Sequence, residues 1–503
     1  MKDNPSFFAP RITWITALLV IFILGFAIRL YDLTDLPLDF HPTRQLLSAL
    51  KARGMYYQTL SAADAAVEQR TFAIQQWRFR ASVEPEFFER IIAFTYKFTG
   101  EQVWIARIYS SLFWMIGAVF LFLLARDITS TDGALAATAF YLFSPYAILA
   151  SRSFQPDPLM VMLIIIFLWA VYQWAQQPAS YFYTILAGLF GGFAIFIKLV
   201  AAFFVIGGGV GALLGRGSLR EALKQPQVYV MSVLGILPGA VYVLYGVFIA
   251  GYLGRQFGGR FIPSLFLSPS YYLGWIGMLN LVIGGFVLMT ALLGLFFLEK
   301  GKRRFLLSLW AGYAFFGIYF NYHISSHDYY SLPLIPIVAL SSAPLADWFF
   351  AQLAKIAVNR LMRFAVIGLL LLGSFMSLWN TRSQMKSVDY RPDAQMWAEI
   401  SEKIGDKNSV GLTQDYGSRL AYWGWKNISS WPTHGDLIYH NDLRGAHDGR
   451  DFEKQFEELA LKKELFLVTD FSDLALQPFL QEKLSEYPVF AKGNGYVIYD
   501  ISQ

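Results

Sequence analysis

The sequence predicts a polytopic α-helical membrane protein with about eleven transmembrane helices, followed by a small α/β soluble domain at the C-terminus. Three observations predict it: a shortage of charge, a series of apolar runs of spanning length, and an abrupt change of composition near residue 380. Of 503 residues, 55% are apolar, 17% aromatic and only 15% charged, and the mean hydropathy is +0.42. A soluble chain carries roughly 25% charged residues, so the deficit points to lipid as the solvent. The formal charge is only +5, which gives no support to nucleic-acid binding. No cysteine is present, so a disulfide frame and a thiolate metal site are excluded.

A helix needs about 17 to 25 apolar residues to span the hydrocarbon core. Runs of that kind lie at Ile12–Ile28, Val103–Ala125, Gly133–Leu149, Leu159–Trp174, Phe182–Ile197, Leu199–Leu214 and Val228–Tyr252. They continue at Tyr271–Leu298, Phe305–Phe320, Tyr329–Ala346 and Phe364–Trp379. The first run follows Lys2 and Arg11 and ends in Arg29-Leu-Tyr-Asp32 without a small-residue cleavage site, so it reads as a retained signal anchor. The pair of runs flanking Lys198 reads as short or broken. Arg126, Arg216/Arg220/Lys224, Lys300/Lys302/Arg303/Arg304 and Lys355/Arg360/Arg363 all fall in loops on one side. By the positive-inside rule that side is cytoplasmic, together with the N-terminus. Arg255 and Arg260, in the loop Gly251–Ser270, are the one exception. This orientation carries the C-terminal domain out of the cytoplasm, as expected of a multi-pass protein of the plasma (inner) membrane.

Two segments are too long to be turns. Residues 31–102 form a long first external loop within a transmembrane domain of residues 1–380, and its stretches Arg44–Thr59 and Glu86–Phe98 look amphipathic and suited to the membrane interface. Residues 381–503 alternate helix-like segments (Ala394–Ile404, Phe452–Leu461, Ser472–Leu484) with short apolar runs (Val410–Leu412, Leu465–Val468, Tyr496–Ile501), the pattern of a small α/β domain.

Ionisable groups near lipid are costly, so those at the external helix ends carry the functional signal. The first constellation runs from Arg29 through Asp32, Asp35, Asp39 and His41 to Arg44. Carboxylates there could take a proton from an acceptor, and cations could hold a departing phosphate. The structural alternative is a solvated loop with Asp32 and Asp35 paired to arginines. The second is Ser151-Arg152-Ser-Phe-Gln-Pro156-Asp157-Pro158, where Asp157 sits at a helix start; a plain N-cap would account for it equally well. The third is Tyr322-His323…His327-Asp328-Tyr329-Tyr330. Its two histidines at i, i+4 share a helical face, as in metal sites, although contacts of His327 and Tyr329 to phosphate or hydroxyl suit the sequence better. Lys198 either extends to the interface or meets a lipid phosphate. Glu84 and Glu86 are further carboxylates of the first loop. Walker and Rossmann glycine signatures are absent.

These segments, in this order and on this side, resemble the GT-C membrane glycosyltransferases, specifically family 39, with its protein O-mannosyltransferases and aminoarabinose transferases. Arg29-Leu-Tyr…Pro37 resembles the family's entry to the first loop, and Glu84-Pro-Glu-Phe-Phe its segment before the second helix. Trp104-Ile-Ala-Arg107-Ile-Tyr-Ser110 resembles the start of that helix. Ser151-Arg152…Asp157-Pro-Leu resembles the second acidic motif, Gly191-Gly…Lys198 the Gly/Lys helix, and His327-Asp-Tyr-Tyr330…Pro333…Pro336 the tyrosine–proline segment. The resemblance implies an inverting transfer of a sugar from a polyprenyl-phosphate donor to a lipid, glycan or protein acceptor outside the cytoplasm.

By the same resemblance Asp39 is the general base and Asp157 the second catalytic carboxylate. Arg29, His41, Arg44, Glu84, Arg152, Lys198, His327 and Tyr329 contact substrate; Arg44, Lys198 and His327 steady the lipid phosphate. Asp157 orients Arg152 or, where a divalent metal ion is used, helps to bind it. One departure stands out: the family's Asp-Glu pair is replaced here by Asp39-Phe-His41-Pro-Thr43-Arg44. Thr43-Arg44 occupying those positions would signal altered or lost chemistry. Two rival readings remain at this stage, a transporter or flippase of a lipid-linked saccharide and a degenerate relative serving as an assembly subunit. A transporter predicts charge pairs within the helices and repeat symmetry, whereas this chain gathers its charges at one face.

Overall fold

The computed structural model describes residues 5–61, 65–80, 84–217, 219–254, 260–356, 359–439 and 452–502. Arg255 lies outside them. The chain forms two compact units, Met1–Leu33 with Ala81–Phe87 and Ile105–Ser387, and Thr34–Arg80 with Phe88–Trp104 and Val388–Gln503. The cut therefore differs from a single boundary at residue 380, because most of the first external loop groups with the C-terminal sheet.

In the first unit every one of the eleven apolar runs is helical, but not every run is one helix. Gly133–Leu149 becomes Thr131–Phe143 and Pro145–Ala150. Pro145 has no N–H to give and pushes Ser144 out of the helical region, to φ −57° and ψ 125°. Tyr271–Leu298 becomes two segments bent by 88°. The bend falls at Gly284, whose φ of +85° a side chain would resist. The pair around Lys198 is indeed short, Tyr181–Ile197 and Ala201–Gly215. Among the described residues six helices are long and apolar enough to cross a membrane, or up to seven if the bent pair is one span.

Asp157–Gln176 is the central helix, buried almost without interruption from Asp157 to Leu168. By contrast Arg11–Arg29 and Arg360–Lys386 turn Ile12, Leu19, Ile23, Leu361, Phe364 and Leu369 outward. A helix that is apolar on its outer face suits a lipid surround. Where helices touch closely, glycine makes it possible. A Cβ on Gly312 would stand 2.6 Å from the Phe203 carbonyl oxygen, so Lys300–Tyr319 lies directly against Ala201–Gly215. Membrane helices, deprived of a hydrophobic driving force, associate through such small-residue contacts.

The second unit is built on a five-stranded sheet of order β2-β1-β3-β5-β4. Its strands are β1 Ser409–Leu412, β2 Ser429–Ser430, β3 Leu465–Val468, β4 Val489–Gly493 and β5 Tyr496–Asp500. β1 pairs parallel with β2 and β3, while β5 runs antiparallel to β3 and β4. Side-chain alternation sends Val410, Leu412, Phe466 and Val468 to one face, with Trp431, Phe456 and Leu480. Leu465, Leu467 and Ile498 go to the other, with Trp397, Ile400 and Leu420. Both faces are covered, so the predicted α/β domain is present. The three apolar runs in the sequence are the central strands β1, β3 and β5. β2 is only two residues long, and β4, although it opens with Val489-Phe490-Ala491, is an edge strand left largely exposed.

The first-loop helices Pro42–Tyr57 and Phe87–Thr99 match their predicted stretches, and Val67–Phe79 adds a third. Pro42–Tyr57 is buried along most of its length, including Lys51 and Arg53. It is therefore a packed helix, not one lying with a polar face open at an interface. Arg53 explains how a charge is tolerated there. Its Nε is 2.8 Å from Glu101, one amino group donates to the Tyr422 carbonyl at 2.5 Å, and the guanidinium lies 3.6 Å and 4.3 Å from the Tyr422 and Trp425 rings.

Leu467→Ala, on the central strand β3, is expected to destabilise the second unit by about 2–5 kcal/mol, the usual cost of such a buried truncation. Phe490→Ala on exposed β4 should change stability by under about 0.5 kcal/mol. Thermal unfolding of the full-length protein in detergent, followed through the sheet's circular dichroism, checks the contrast.

Candidate active site

The polar centre of the first unit is Lys198. Its backbone stands at φ −154° and ψ 118°, just past the last turn of Tyr181–Ile197, and its N–H still bonds the Ala194 carbonyl. That break in the helix turns the side chain inward, where it is only 7% exposed. The ammonium is 2.8 Å and 3.0 Å from the two carboxylate oxygens of Asp157, itself 3% exposed. Glu84 stands 3.8 Å away on the same ammonium. Asp157 is the first residue of its helix, with Pro156 as N-cap and Pro158 in the first turn. Its charge thus also faces the positive end of a twenty-residue helix dipole.

Around this acid–base–acid group lies an aromatic and cationic wall. The rings of Tyr329 and Tyr330 are 5.2 Å and 5.7 Å from the Lys198 ammonium. Tyr330 continues to Arg260, whose amino group is 3.4 Å from the phenol oxygen and 3.0 Å from His323 Nε2. The His323 ring lies 5.2 Å from the Tyr330 ring and 5.4 Å from the His327 ring. His327 Nδ1 is 2.8 Å from the Ser326 hydroxyl. Burial first, then the charges of Arg260, His327 and Lys198, lowers the His323 imidazole from 6.5 to about 3. This histidine is neutral at physiological pH.

The predicted residues divide accordingly. Glu84, Asp157, Lys198, His327 and Tyr329 come together in the first unit. Arg152 does not pair with Asp157: its guanidinium donates to the Asp32 carbonyl at 3.0 Å and meets the Met385 sulfur. Both Asp157 oxygens accept from Lys198 instead. Arg29 is fully buried and bonds Ser151 Oγ at 2.7 Å and the Gly25 and Leu142 carbonyls at 2.6 Å and 3.0 Å. It braces helix ends against one another, and a substrate contact by Arg29 has no support in this geometry. Tyr330 and the neutral His323 come from the third constellation, His323 facing Arg260 and not a metal ion, while Arg260 enters the site unforeseen. Arg260 did leave a trace in the sequence, as one of the two arginines of the Gly251–Ser270 loop that depart from the loop-charge pattern.

Asp39, His41 and Arg44 belong to the second unit. Asp39 is half-buried and 3.4 Å from the Gln45 amide nitrogen, which also donates to the Phe40 carbonyl at 2.6 Å. Burial, followed by the Asp39 carboxylate, raises the Tyr390 phenol above its ordinary value. His41 caps Pro42–Tyr57 in a left-handed conformation, φ 44°. Asp35 accepts from Leu36 N–H at 2.8 Å and Tyr390 N–H at 3.1 Å, and stands 3.8 Å from Arg391. The expected arginine pairing is thus present for Asp35 as one contact among several. Among the described residues no group of three His, Asp or Glu side chains is placed to hold a metal ion, and His323 Nε2 faces the Arg260 guanidinium.

Residues 84–245 match the sequence profile of a family described as dolichyl-phosphate-mannose-protein mannosyltransferase. No curated protein matches the chain in sequence. In structure it is similar to ArnT from Cupriavidus metallidurans bound to undecaprenyl phosphate, with TM-score 0.61 and 17% identity over 96% of this chain and 97% of that one. It is also similar to the oligosaccharyltransferase of Archaeoglobus fulgidus in the apo form (TM-score 0.54, 12% identity, 90% of this chain and 69% of that one). A third likeness is to the AglB oligosaccharyltransferase of Archaeoglobus fulgidus in complex with an inhibitory peptide and a dolichol-phosphate (TM-score 0.52, 10% identity, 96% and 74%). The fold is that of the GT-C membrane proteins.

Lys198→Met should leave Asp157 buried without its cation and lower stability by about 3–5 kcal/mol, while Lys198→Met with Asp157→Asn should recover most of that loss. A double-mutant cycle of thermal unfolding in detergent measures it. The low His323 value carries a sign of its own. Above pH 6.5 the ring is neutral whether the chain is folded or unfolded; below it the unfolded chain gains a proton that the folded one refuses. Stability should therefore fall as pH drops from 6.5 towards 3. His323→Gln should flatten that part of the pH–stability curve.

Proposed function

We propose that the chain is a membrane glycosyltransferase that moves a sugar from a polyprenyl-phosphate donor to an acceptor outside the cytoplasm, with inversion at the anomeric carbon. The observation that carries the reading is the buried Asp157–Lys198–Glu84 group flanked by Arg260, His323 and two tyrosines. An ammonium and a guanidinium converge there with hydroxyl donors at one end of a bundle of apolar helices. Such a set suits a phosphate that must leave with two negative charges while its apolar tail stays in lipid. The family profile over residues 84–245 and the fold shared with ArnT support the same chemistry.

In this reading Asp39 takes the proton of the acceptor hydroxyl or amine. The acceptor atom attacks the anomeric carbon from the face opposite the phosphate, the carbon–oxygen bond to phosphate breaks, and that electron pair stays on polyprenyl phosphate. Lys198 and Arg260 hold the phosphate as its charge grows, with Tyr329 and His327 beside it; Arg44 and His41 contribute from the first loop. Glu84 and Asp157 hold Lys198 in place. Eleven helices cross the membrane, the N-terminus is cytoplasmic, and residues 381–503 lie outside with the acceptor, which is a lipid, glycan or protein.

With a lipid-linked sugar as donor, Asp39→Asn should lower the rate of transfer by at least about a hundredfold while donor binding persists, the range typical of a lost general base. Arg260→Ala should instead raise the KM for donor by about tenfold or more, as expected for losing a charge-assisted hydrogen bond to phosphate. Unchanged turnover in the Asp39 variant would remove that residue from the role of base.

A further inference from the structure

A second polar site lies at the far end of the central helix. A cavity of about 540 Å3 is lined by Asp127, Tyr172, Gln173, Arg216, Glu299 and Lys302, among others. Asp127 closes the Trp104–Ile128 helix, Gln173 lies in the last turn of Asp157–Gln176, and Arg216 follows Ala201–Gly215. Asp157 opens the same helix that Gln173 ends. At about 1.5 Å per residue, the sixteen residues from Asp157 to Gln173 separate the two sites by about 24 Å, most of the thickness of a bilayer core. The cavity is therefore no extension of the candidate active site; it belongs to the opposite membrane interface.

The signs of its charges run against the helices that bear them. Lys302 stands in the first turn of Lys300–Tyr319, whose N-cap residue Glu299 makes no side-chain cap and whose first turn has no acidic residue. Unsatisfied N–H groups, a positive dipole end and a lysine thus coincide, an arrangement that attracts an anion. Asp127 stands in the last turn of its helix, where the dipole end is negative, and so adds to a field that attracts a cation. Existing contacts do not exhaust these groups. The Lys302 ammonium gives one hydrogen bond, 2.7 Å to the Ile128 carbonyl, out of three available. The Arg216 guanidinium uses one amino group on Gln225 at 2.9 Å and lies 5.2 Å from the Trp174 ring. Its remaining donors stay available. Gln173 donates to Asp127, steering the carboxylate.

We propose that this cavity binds the headgroup of a zwitterionic aminophospholipid, its phosphate against Arg216, Lys302 and the start of Lys300–Tyr319, its primary ammonium against Asp127 and Glu299. A purely anionic headgroup meets two carboxylates there. A quaternary ammonium, with no N–H to give, cannot hydrogen-bond Asp127.

The test uses the full-length protein in detergent and native mass spectrometry with phosphatidylethanolamine, phosphatidylcholine and phosphatidylglycerol of matched chains. Phosphatidylethanolamine should bind about tenfold more tightly than the other two, the size of one charge-assisted hydrogen bond. Asp127→Asn should level it with phosphatidylglycerol, and Arg216→Gln should weaken all three lipids. Glu299→Gln, an exposed change that spares the fold, should weaken phosphatidylethanolamine alone. Competition by soluble glycerophosphoethanolamine would support the headgroup chemistry. Equal binding of phosphatidylglycerol, indifference to all three substitutions, or binding of the soluble headgroup without the lipid would overturn the proposal.

Discussion

The first unit depends on keeping one ammonium out of water. An uncompensated charge in so apolar a surround costs several kcal/mol after relaxation. Lys198 remains there because two Asp157 oxygens, a nearby Glu84 and two tyrosine faces replace its hydration. Each partner comes from a different stretch of chain: the end of the first loop, the start of the central helix and the segment before Leu334–Ile356. Holding the lysine therefore holds three elements in register. The break between Tyr181–Ile197 and Ala201–Gly215 follows from the same requirement, since a continuous helix would hold Lys198 at helical φ/ψ rather than in the extended backbone that turns it inward.

That interaction also sorts the carboxylates by what they can do. An oxygen that already accepts from an ammonium at 2.8 Å offers little to an incoming hydroxyl proton, and both Asp157 oxygens are so engaged. Asp157 is thereby suited to fixing a positive charge beside a phosphate and poorly suited to proton removal.

Much of the fold was legible because lipid imposes a coarse rule: long apolar runs become helices whatever packs on them, and all eleven did. The break at Lys198 was legible, as a lysine between two short apolar runs; those at Pro145 and Gly284 were not, because each is set by a single residue inside a run that stays apolar. The strands β1, β3 and β5 showed as short apolar runs because both sheet faces are covered; two-residue β2 had no such signal, and the Val489-Phe490-Ala491 run of β4 gives way at once to Lys492. In the site, Asp157, Lys198 and Glu84 could each be picked out as charges near lipid, but their mutual pairing could not. Arg152 is closer in sequence to Asp157 and was the natural partner to expect. Lys198 displaces it because a lysine at a helix break can reach inward, a fact of backbone geometry and not of composition. Arg260 was visible only as an irregularity in loop charge.

Within the second unit the segment bearing Asp39 is shaped by residues more than 350 positions away. Thr43 donates to Asp415 at 2.7 Å, Arg419 links Asp415 to Asp393 at 2.5 Å and 2.8 Å, and Tyr390 N–H bonds Asp35. The backbone on both sides of this network is strained: His41 has φ 44°, directly before Pro42, and Asp415 and Tyr416 have φ 55° and 52° in succession. Left-handed conformations at residues with side chains cost about 1–2 kcal/mol each and persist only where surrounding contacts hold them. Here those contacts are the Thr43–Asp415 and Asp415–Arg419 bonds themselves, so strain and network are two aspects of one device. A loop free to relax would let His41 return to extended backbone and rotate the residues before it. On that ground the C-terminal sheet domain serves the first loop as a splint. Thr43 is the first-loop side of that splint, its hydroxyl donating to Asp415 across 372 positions of sequence.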